Sequence, residues 1–375
     1  MTDPDTMLWR AKTAEETKRA LDAGANVNDT MWPGETPLMC AETAEKTKLL
    51  IVAGANVNAK DKYGRTALMR AKTAEQTKLL IAAGADVNAR DRDGETPLMH
   101  AETAEQAKIL IAAGADVNAE DKSGDTALIY AQDIYAKLVG QTIPSEEKTK
   151  ILKEQTKLSI EKTKILIAAG ADVNAKGDYD ETALMHAPTA EHTKLLIAAG
   201  ADVNAKDVFG ETALMKAGTA EETKLLIKAG ADVNARSDRY AYTALICAHT
   251  VEQAKLLIDA GADVETRDFE IAVDVYERRG RHNYEQAEAV WKLIKEQEEI
   301  KEEKKKIQRE KNNETKRRLK SKPRDKKPSG VVFADAIAKM KLAGEIKGDV
   351  TPDRAKKIIT KMMRDRVLSE RNAKK

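Results

Sequence analysis

The 375-residue chain carries 64 Lys/Arg and 62 Asp/Glu, 42% hydrophobic residues and only 4% aromatic ones. So few rings argue against a compact enzyme core, and so many Ala, Leu, Ile and Val argue against a disordered chain; the composition fits a core spread thinly along an elongated helical body. The net charge of +2 conceals two blocks, with 26 Lys/Arg against 11 Asp/Glu in residues 301–375 and 38 against 51 in residues 1–300. The opening residues, MTDPDTMLWR, lack a basic stretch followed by an apolar one, and no apolar run approaches the length of a membrane span. A cytoplasmic protein without membrane association is expected. Cys40 and Cys247 are too far apart for a disulfide framework or a CxxC site.

In chain order the sequence repeats one unit. Thr-x-Leu-x-x-Ala occurs at Thr6, Thr36, Thr66, Thr96, Thr126, Thr182, Thr212 and Thr243. Gly-Ala-Asp/Asn-Val begins at Gly24, Gly54, Gly84, Gly114, Gly170, Gly200, Gly230 and Gly261, at a spacing of 30 except for one interval of 56 and one of 31. Residues 95–121, ETPLMHAETAEQAKILIAAGADVNAED, show the mechanics. Pro97 suits the first turn of a short helix, where its missing N–H costs nothing. Thr103 then caps a second helix, and Gln106 completes a capping box. The same pair recurs as Thr13/Glu16, Thr73/Gln76, Thr219/Glu222 and Thr250/Gln253, whereas Thr43 precedes Lys46 and Thr189 precedes His192. Ile109, Leu110 and Ala113 supply an apolar face at helical spacing. Gly114 ends the helix in the left-handed conformation, and an extended turn, the finger, leads into the next unit.

These motifs resemble the ankyrin repeat, through Thr96-Pro97-Leu98-Met99-His100-Ala101 and Gly114-Ala115-Asp116-Val117-Asn118. The resemblance covers about residues 1–295. It implies an all-α, ankyrin-like α-solenoid of about nine helix-turn-helix repeats with β-turn fingers, of the short-repeat, bacterial type, binding another protein through its fingertips and concave face. Two features depart from the family pattern. The period is 30 rather than about 33, which shortens the first helix by about one turn, and the motif His is replaced by Met39, Met69, Met99, Met185 and Met215 or by Ile129 and Ile246.

The interval of 56 places a helical insertion at about 132–158. Within it Glu147-Lys-Thr-Lys-Ile-Leu152 returns as Glu161-Lys-Thr-Lys-Ile-Leu166, about four helical turns later, so both copies share a face. The spacing predicts one extended second helix from Ser145 to Ala169, a first helix lengthened toward Leu138, a turn at 140–144, and a spur projecting from the solenoid. Residues 269–295 read as a degenerate terminal repeat acting as a cap. Residues 296–330 read as a solvated charged helix, with pairs such as Glu302/Lys306, followed by a basic linker. Residues 331–375 read as a small basic helical hairpin.

No catalytic, cofactor-binding or metal-binding constellation emerges: the five histidines lack metal-pair spacing, and no phosphate-cradling glycine motif follows a strand. A non-enzymatic chain without cofactor or metal is expected. The candidate partner-binding residues fall in two rows. Trp32, Tyr63, Tyr179, Phe209 and Tyr240 lie one or two residues before the finger glycine or its replacement, with Arg92 on a neighbouring finger. Rings on rigid turns serve either as binding anchors or as packing against the adjacent finger. Arg70, His100, Tyr130, His186 and Lys216 share one position, between the motif Met/Ile and Ala, whose chemical variety suits exposure or ligand tuning. The basic tail reads as a solvated segment, as a non-specific nucleic-acid contact through Arg317, Arg318, Lys320, Lys322, Arg324, Lys326 and Lys327, or as a dock for an acidic surface. The leading function is a protein-binding scaffold. The alternatives are an adaptor whose tail grips nucleic acid and an effector or inhibitor that blocks a target enzyme.

Overall fold

A computed structural model describes residues 3–31, 33–132, 145–238, 241–263, 284–321 and 357. Thirteen helices are present among them: α1 (Pro4–Arg10), α2 (Ala14–Asp22), α3 (Ala44–Val52), α4 (Ala74–Ala82), α5 (Pro97–His100), α6 (Ala104–Ala112), α7 (Ala127–Tyr130), α8 (Ser145–Ala168), α9 (Ala190–Ala198), α10 (Ala213–Lys216), α11 (Ala220–Lys228), α12 (Val251–Asp259) and α13 (Tyr284–Ser321). The described residues contain isolated β-bridges at the finger bases, such as Lys176 with Thr182, and no strand. The fold is an all-α, ankyrin-like solenoid. Two compact units divide the chain at Ile300/Lys301.

Each second helix begins as its sequence dictates. Thr103 Oγ1 accepts from Gln106 N while the Gln106 side chain accepts from Thr103 N, and the same reciprocal box closes at Thr13/Glu16 and Thr219/Glu222. Each helix ends on a left-handed glycine: Gly114 has φ +91°, and Ala115 N reaches back to Leu110 O at 2.9 Å. The first helix is a single turn. It is helical at α5, α7 and α10, and only a turn at 37–40, 67–70, 183–186 and 244–247, because one isolated turn is marginal without its packing. Helix α1 starts two residues before the motif Thr6, since Asp3 caps it and Pro4 occupies the first turn.

The core is a file of repeated positions. Leu8, Leu38, Leu68, Leu98, Leu128, Leu184, Leu214 and Leu245 are buried from the first helices, and Leu50, Leu80, Leu110, Leu166, Leu196, Leu226 and Leu257 from the second. The Met series is buried with them. Between repeats, Asn88 Nδ2 donates to Gly114 O (3.0 Å) and Asn88 Oδ1 accepts from Asp116 N (2.8 Å). The same bridge links Asn118 to Gly170 O (3.2 Å) and Asp172 N (2.8 Å) across the insertion. The extra residues therefore leave the stacking register intact.

Helix α8 spans Ser145–Ala168, ending one residue before the predicted end. The lengthened first helix and the turn at 140–144 lie outside the described residues, as do residues 264–268, residues 269–283 of the cap, the linker at 322–330 and, apart from Lys357, the hairpin at 331–375. Val290 and Ile294 of α13 are buried, whereas Ile300 and Ile307 are exposed. On its charged stretch Glu302 pairs with Lys305, at 2.6 Å, rather than with the expected Lys306.

Candidate functional site

The fingers are built by an aspartate at their base. Asp61 Oδ1 accepts from Tyr63 N (2.8 Å) and Arg65 N (2.9 Å), and Asp207 Oδ1 does the same for Phe209 and Glu211. The next finger then docks on the tip: Lys62 N donates to Pro33 O (2.9 Å), Arg92 N to Tyr63 O (2.7 Å), Lys122 N to Asp93 O (2.8 Å), Val208 N to Tyr179 O (2.9 Å) and Asp238 N to Phe209 O (2.8 Å). This contact favours glycine at the tip, although Asp180 takes its place beside the Val208–Tyr179 bond. A Cβ on Gly64, whose φ is +81°, would lie 2.9 Å from Arg92 N.

Rings placed on these turns stay in solvent. Tyr63 is 43% exposed, Tyr179 58% and Phe209 38%. They also pack along the row. Tyr179 stacks on Phe209 with centroids 5.9 Å apart at 28°, and Tyr63 lies between Lys62 Nζ and Arg65 Cζ, each 4.7 Å from its centroid. The rings thus pack along the finger row and leave aromatic surface exposed. Tyr179 and Asp180 sit at φ 55° and 60°, a strained conformation for side-chain-bearing residues. Arg92 is exposed beside Tyr63, and Trp32 and Tyr240 lie outside the described residues.

The second row, half-buried except for the exposed His186, is an alternation of charge. Arg70 Nη2 lies 2.5 Å from Glu35 Oε1 and 3.9 Å from Asp61 Oδ2. Lys216 pairs with Glu181 and, at 2.8 Å, with Asp207. His100 Nε2 is 2.8 Å from Glu95 Oε2, and His186 Nε2 is 2.7 Å from Glu181 Oε2. The Tyr130 hydroxyl reaches Glu95 Oε1 (2.8 Å) and Asp121 Oδ2 (2.9 Å). Electrostatics follow these contacts. The His186 hydrogen bond, with Lys216 behind it, holds the Glu181 carboxyl down at about 2. Burial and the neighbouring Glu35 push the Cys40 thiol up to about 11, which makes it a poor nucleophile. Burial and the two carboxylates raise the Tyr130 phenol.

Residues 9–91, 72–139 and 188–268 match the family model for ankyrin repeats, together more than half of the chain. The chain belongs to the ankyrin-repeat family. No curated protein matches it. Ankyrin repeats are in general protein-interaction modules, and the finger and first-helix rows are the variable faces of this one. Residues 140–187, which hold most of the insertion and the fifth finger, fall outside the matched stretches.

Sequence reasoning found the variable row and missed its partners. Glu35, Glu95 and Glu181 precede the motif Thr, and Asp61, Asp121 and Asp207 stand nine residues before the row position; that fixed spacing was the available signal. It also missed that Asp91, Glu95 and His100 converge, with ligand-competent atoms all within 4.8 Å of one another. None of the described helices is long and apolar enough to cross a membrane.

Proposed function

We propose that the protein is a non-enzymatic scaffold that binds another protein through its fingertips and the inner face of its short first helices. One observation carries this reading: three exposed rings, Tyr63, Tyr179 and Phe209, ride on turns held by a backbone bond from the next finger, and Asp61 and Asp207 brace the turns of Tyr63 and Phe209 as well. Preorganised aromatic anchors lose little entropy on binding and dominate interface energies. Arg70, His100, Tyr130, His186 and Lys216 tune the surface beneath them, and Arg92 borders it. Helix α8 and residues 331–375 add accessory contacts. A blocked target enzyme is one form such a partner would take.

The test uses the full chain as bait, with and without nuclease, beside a Tyr63→Ser/Tyr179→Ser/Phe209→Ser variant. A stoichiometric protein partner should survive nuclease and be lost with the rings. Undiminished capture by the ring variant would remove the reading. The charge block of residues 301–375 favours a second reading, an adaptor that grips nucleic acid through Arg317, Arg318 and Lys320 on α13 and the lysines and arginines that follow them. Affinity for arbitrary duplex that falls steeply with salt would support it; indifference to duplex would end it.

A further inference from the structure

We propose that the groove between the fourth and fifth fingers receives an arginine side chain presented by the partner protein. The inference rests on the finger face being the partner surface.

The first observation is a gap in the alternation of charge. Where Arg70 serves Glu35 and Asp61, and Lys216 serves Glu181 and Asp207, the middle of the array has Tyr130 facing Glu95 and Asp121. A phenol brings no positive charge and a single proton, so it can donate to only one of the two carboxylates at a time. Of the five residues at this position two, Arg70 and Lys216, bridge a pair of carboxylates as cations, whereas Tyr130 bridges its pair without one.

The second observation is a break in the finger row at the same place. Asp178 N does not dock on a fingertip carbonyl but donates to Asp125 Oδ1 at 3.1 Å. The usual finger aspartate is replaced here by Gly177, where a Cβ would fall 1.8 Å from Asp125 Oδ1, so glycine is what lets the carboxylate lie against this backbone. The break leaves a groove of about 640 Å³ lined by Asp125, Tyr130, Gln132, Asp178, Tyr179 and Glu181.

The third observation points to a donor. Gln132 is buried, its Nε2 giving to Leu128 O and Thr163 Oγ1 at 3.1 Å each, while its Oε1 has no hydrogen-bond partner. A buried acceptor left unpaired is costly. Glu181 is engaged by His186 and Lys216, which leaves Asp125 and Asp178 as the carboxylates open to a ligand. Burial raises the Asp125 carboxyl, against the hydrogen bond from Asp178 N that lowers it, and a bound cation would lower it further. A guanidinium matches this set: five N–H donors for two carboxylates and an amide oxygen, and a flat cation for the Tyr130 and Tyr179 rings. Among the described residues the metal-competent trio is Asp91, Glu95 and His100, which lies outside the lining of the groove.

The experiment titrates the full chain with a fluorescent peptide, acetyl-Ala-Ala-Arg-Ala-Ala-amide, and with its citrulline counterpart, which keeps the shape and loses the charge. The arginine peptide should saturate within the millimolar range and bind at least about tenfold more tightly than the citrulline one, as one charge-assisted bidentate contact predicts. Asp125→Asn should weaken it. Tyr130→Arg, which installs the cation found at 70 and 216, should abolish binding without lowering the melting temperature. Equal binding of both peptides, no saturation, or full binding by a folded Tyr130→Arg variant would overturn the proposal. So would zinc chloride raising the melting temperature, in a manner His100→Ala removes, while the arginine peptide does nothing. If a captured partner is still released by the ring substitutions but holds undiminished to Tyr130→Arg, the arginine site alone fails and the scaffold reading stands.

Discussion

The second-helix side and the finger side of each repeat both join it to its neighbour through polar side chains, yet they do so by opposite rules. On the helix side the third residue is Lys46, Gln76, Gln106, Lys162 or Gln253, and each donates to the carbonyl of a motif alanine one repeat back: Ala11, Ala41, Ala71, Ala101 and Ala217, at 2.7–3.1 Å. The residue types differ but in these five the task does not; Glu222, at the same place in α11, departs from it by accepting from Gly218 N and Thr219 N. On the finger side the row of Arg70, His100, Tyr130, His186 and Lys216 makes a different set of bonds in every repeat. A buried carbonyl must have a donor, so the scaffold fixes the chemistry at the first position. A half-exposed position can fall back on water, so its residue type is free to vary.

The file of leucines beneath both sides sets the upper limit of any effect. Leu110→Ala should cost roughly 2–5 kcal/mol, read as a drop in the urea midpoint, since Leu110 is fully buried between neighbouring helices. A cost no larger than that of a surface substitution would mean the repeats are not stacked as described.

His192 sharpens the comparison because it is the one place where the helix-side rule is carried by a relay. Ser159 Oγ donates its only proton to Ala131 O at 2.5 Å, so toward His192 Nε2, at 2.8 Å, it must accept. The imidazole therefore carries its proton on Nε2, and Nδ1 accepts from Thr189 Oγ1 at 2.8 Å. Burial lowers its pKa to about 4 from the ordinary 6.5. The unfolded chain then binds a proton that the folded one refuses between those values. The stability tied to neutral His192 is thus fully present above about pH 6.5 and lost as pH falls toward 4, to a total of about 3 kcal/mol. Urea midpoints measured from pH 7 to 4.5 should fall for the native chain and much less for His192→Gln, which restores the residue used at 76, 106 and 253. Parallel curves would place the titration elsewhere. Glu181 acts in a separate window, since its lowered carboxyl gives up stability only below its unfolded value, near 4.5.

A smaller effect tests the rule directly. Gln106→Leu keeps the volume but removes the donor to Ala71 O and the acceptor for Glu102 N and Thr103 N, and should cost about 1–3 kcal/mol. A neutral result would show that packing alone sets the spacing of the repeats.

How much of this was legible in the sequence follows the same division. Thr103, Gln106 and Gly114 announce the ends of a helix because their partners lie within a few residues, and the repetition at Glu147 and Glu161 fixed α8 to within a residue of its observed end. The link from Gln106 to Ala71, or from Arg70 to Glu35, spans 35 residues, and no local pattern reports which acceptor the fold will bring up. The candidate site was half legible for the same reason. The variety at positions 70, 100, 130, 186 and 216 marked the row, whereas the carboxylates facing it and the unpaired Gln132 oxygen depend on how one repeat settles on the next.

The weakest expected effect is the one that separates the two roles of the fingertip rings. Tyr63 is 43% exposed, its hydroxyl makes no hydrogen bond among the described contacts, and its backbone rather than its ring docks Arg92. What the ring adds to the fold is contact with Lys62 Nζ and Arg65 Cζ, each worth at most about 0.5–1 kcal/mol at an exposed site. Tyr63→Ala should therefore move the melting temperature by no more than a degree or two. Phe209→Ala, which loses the stack on Tyr179, should cost somewhat more. Were Tyr63→Ala to cost as much as Leu110→Ala, the ring would be a structural shield and the finger side would obey the helix-side rule. A near-silent Tyr63→Ala that nonetheless releases a bound partner would show an aromatic face held at the tip for recognition, with folding indifferent to its loss.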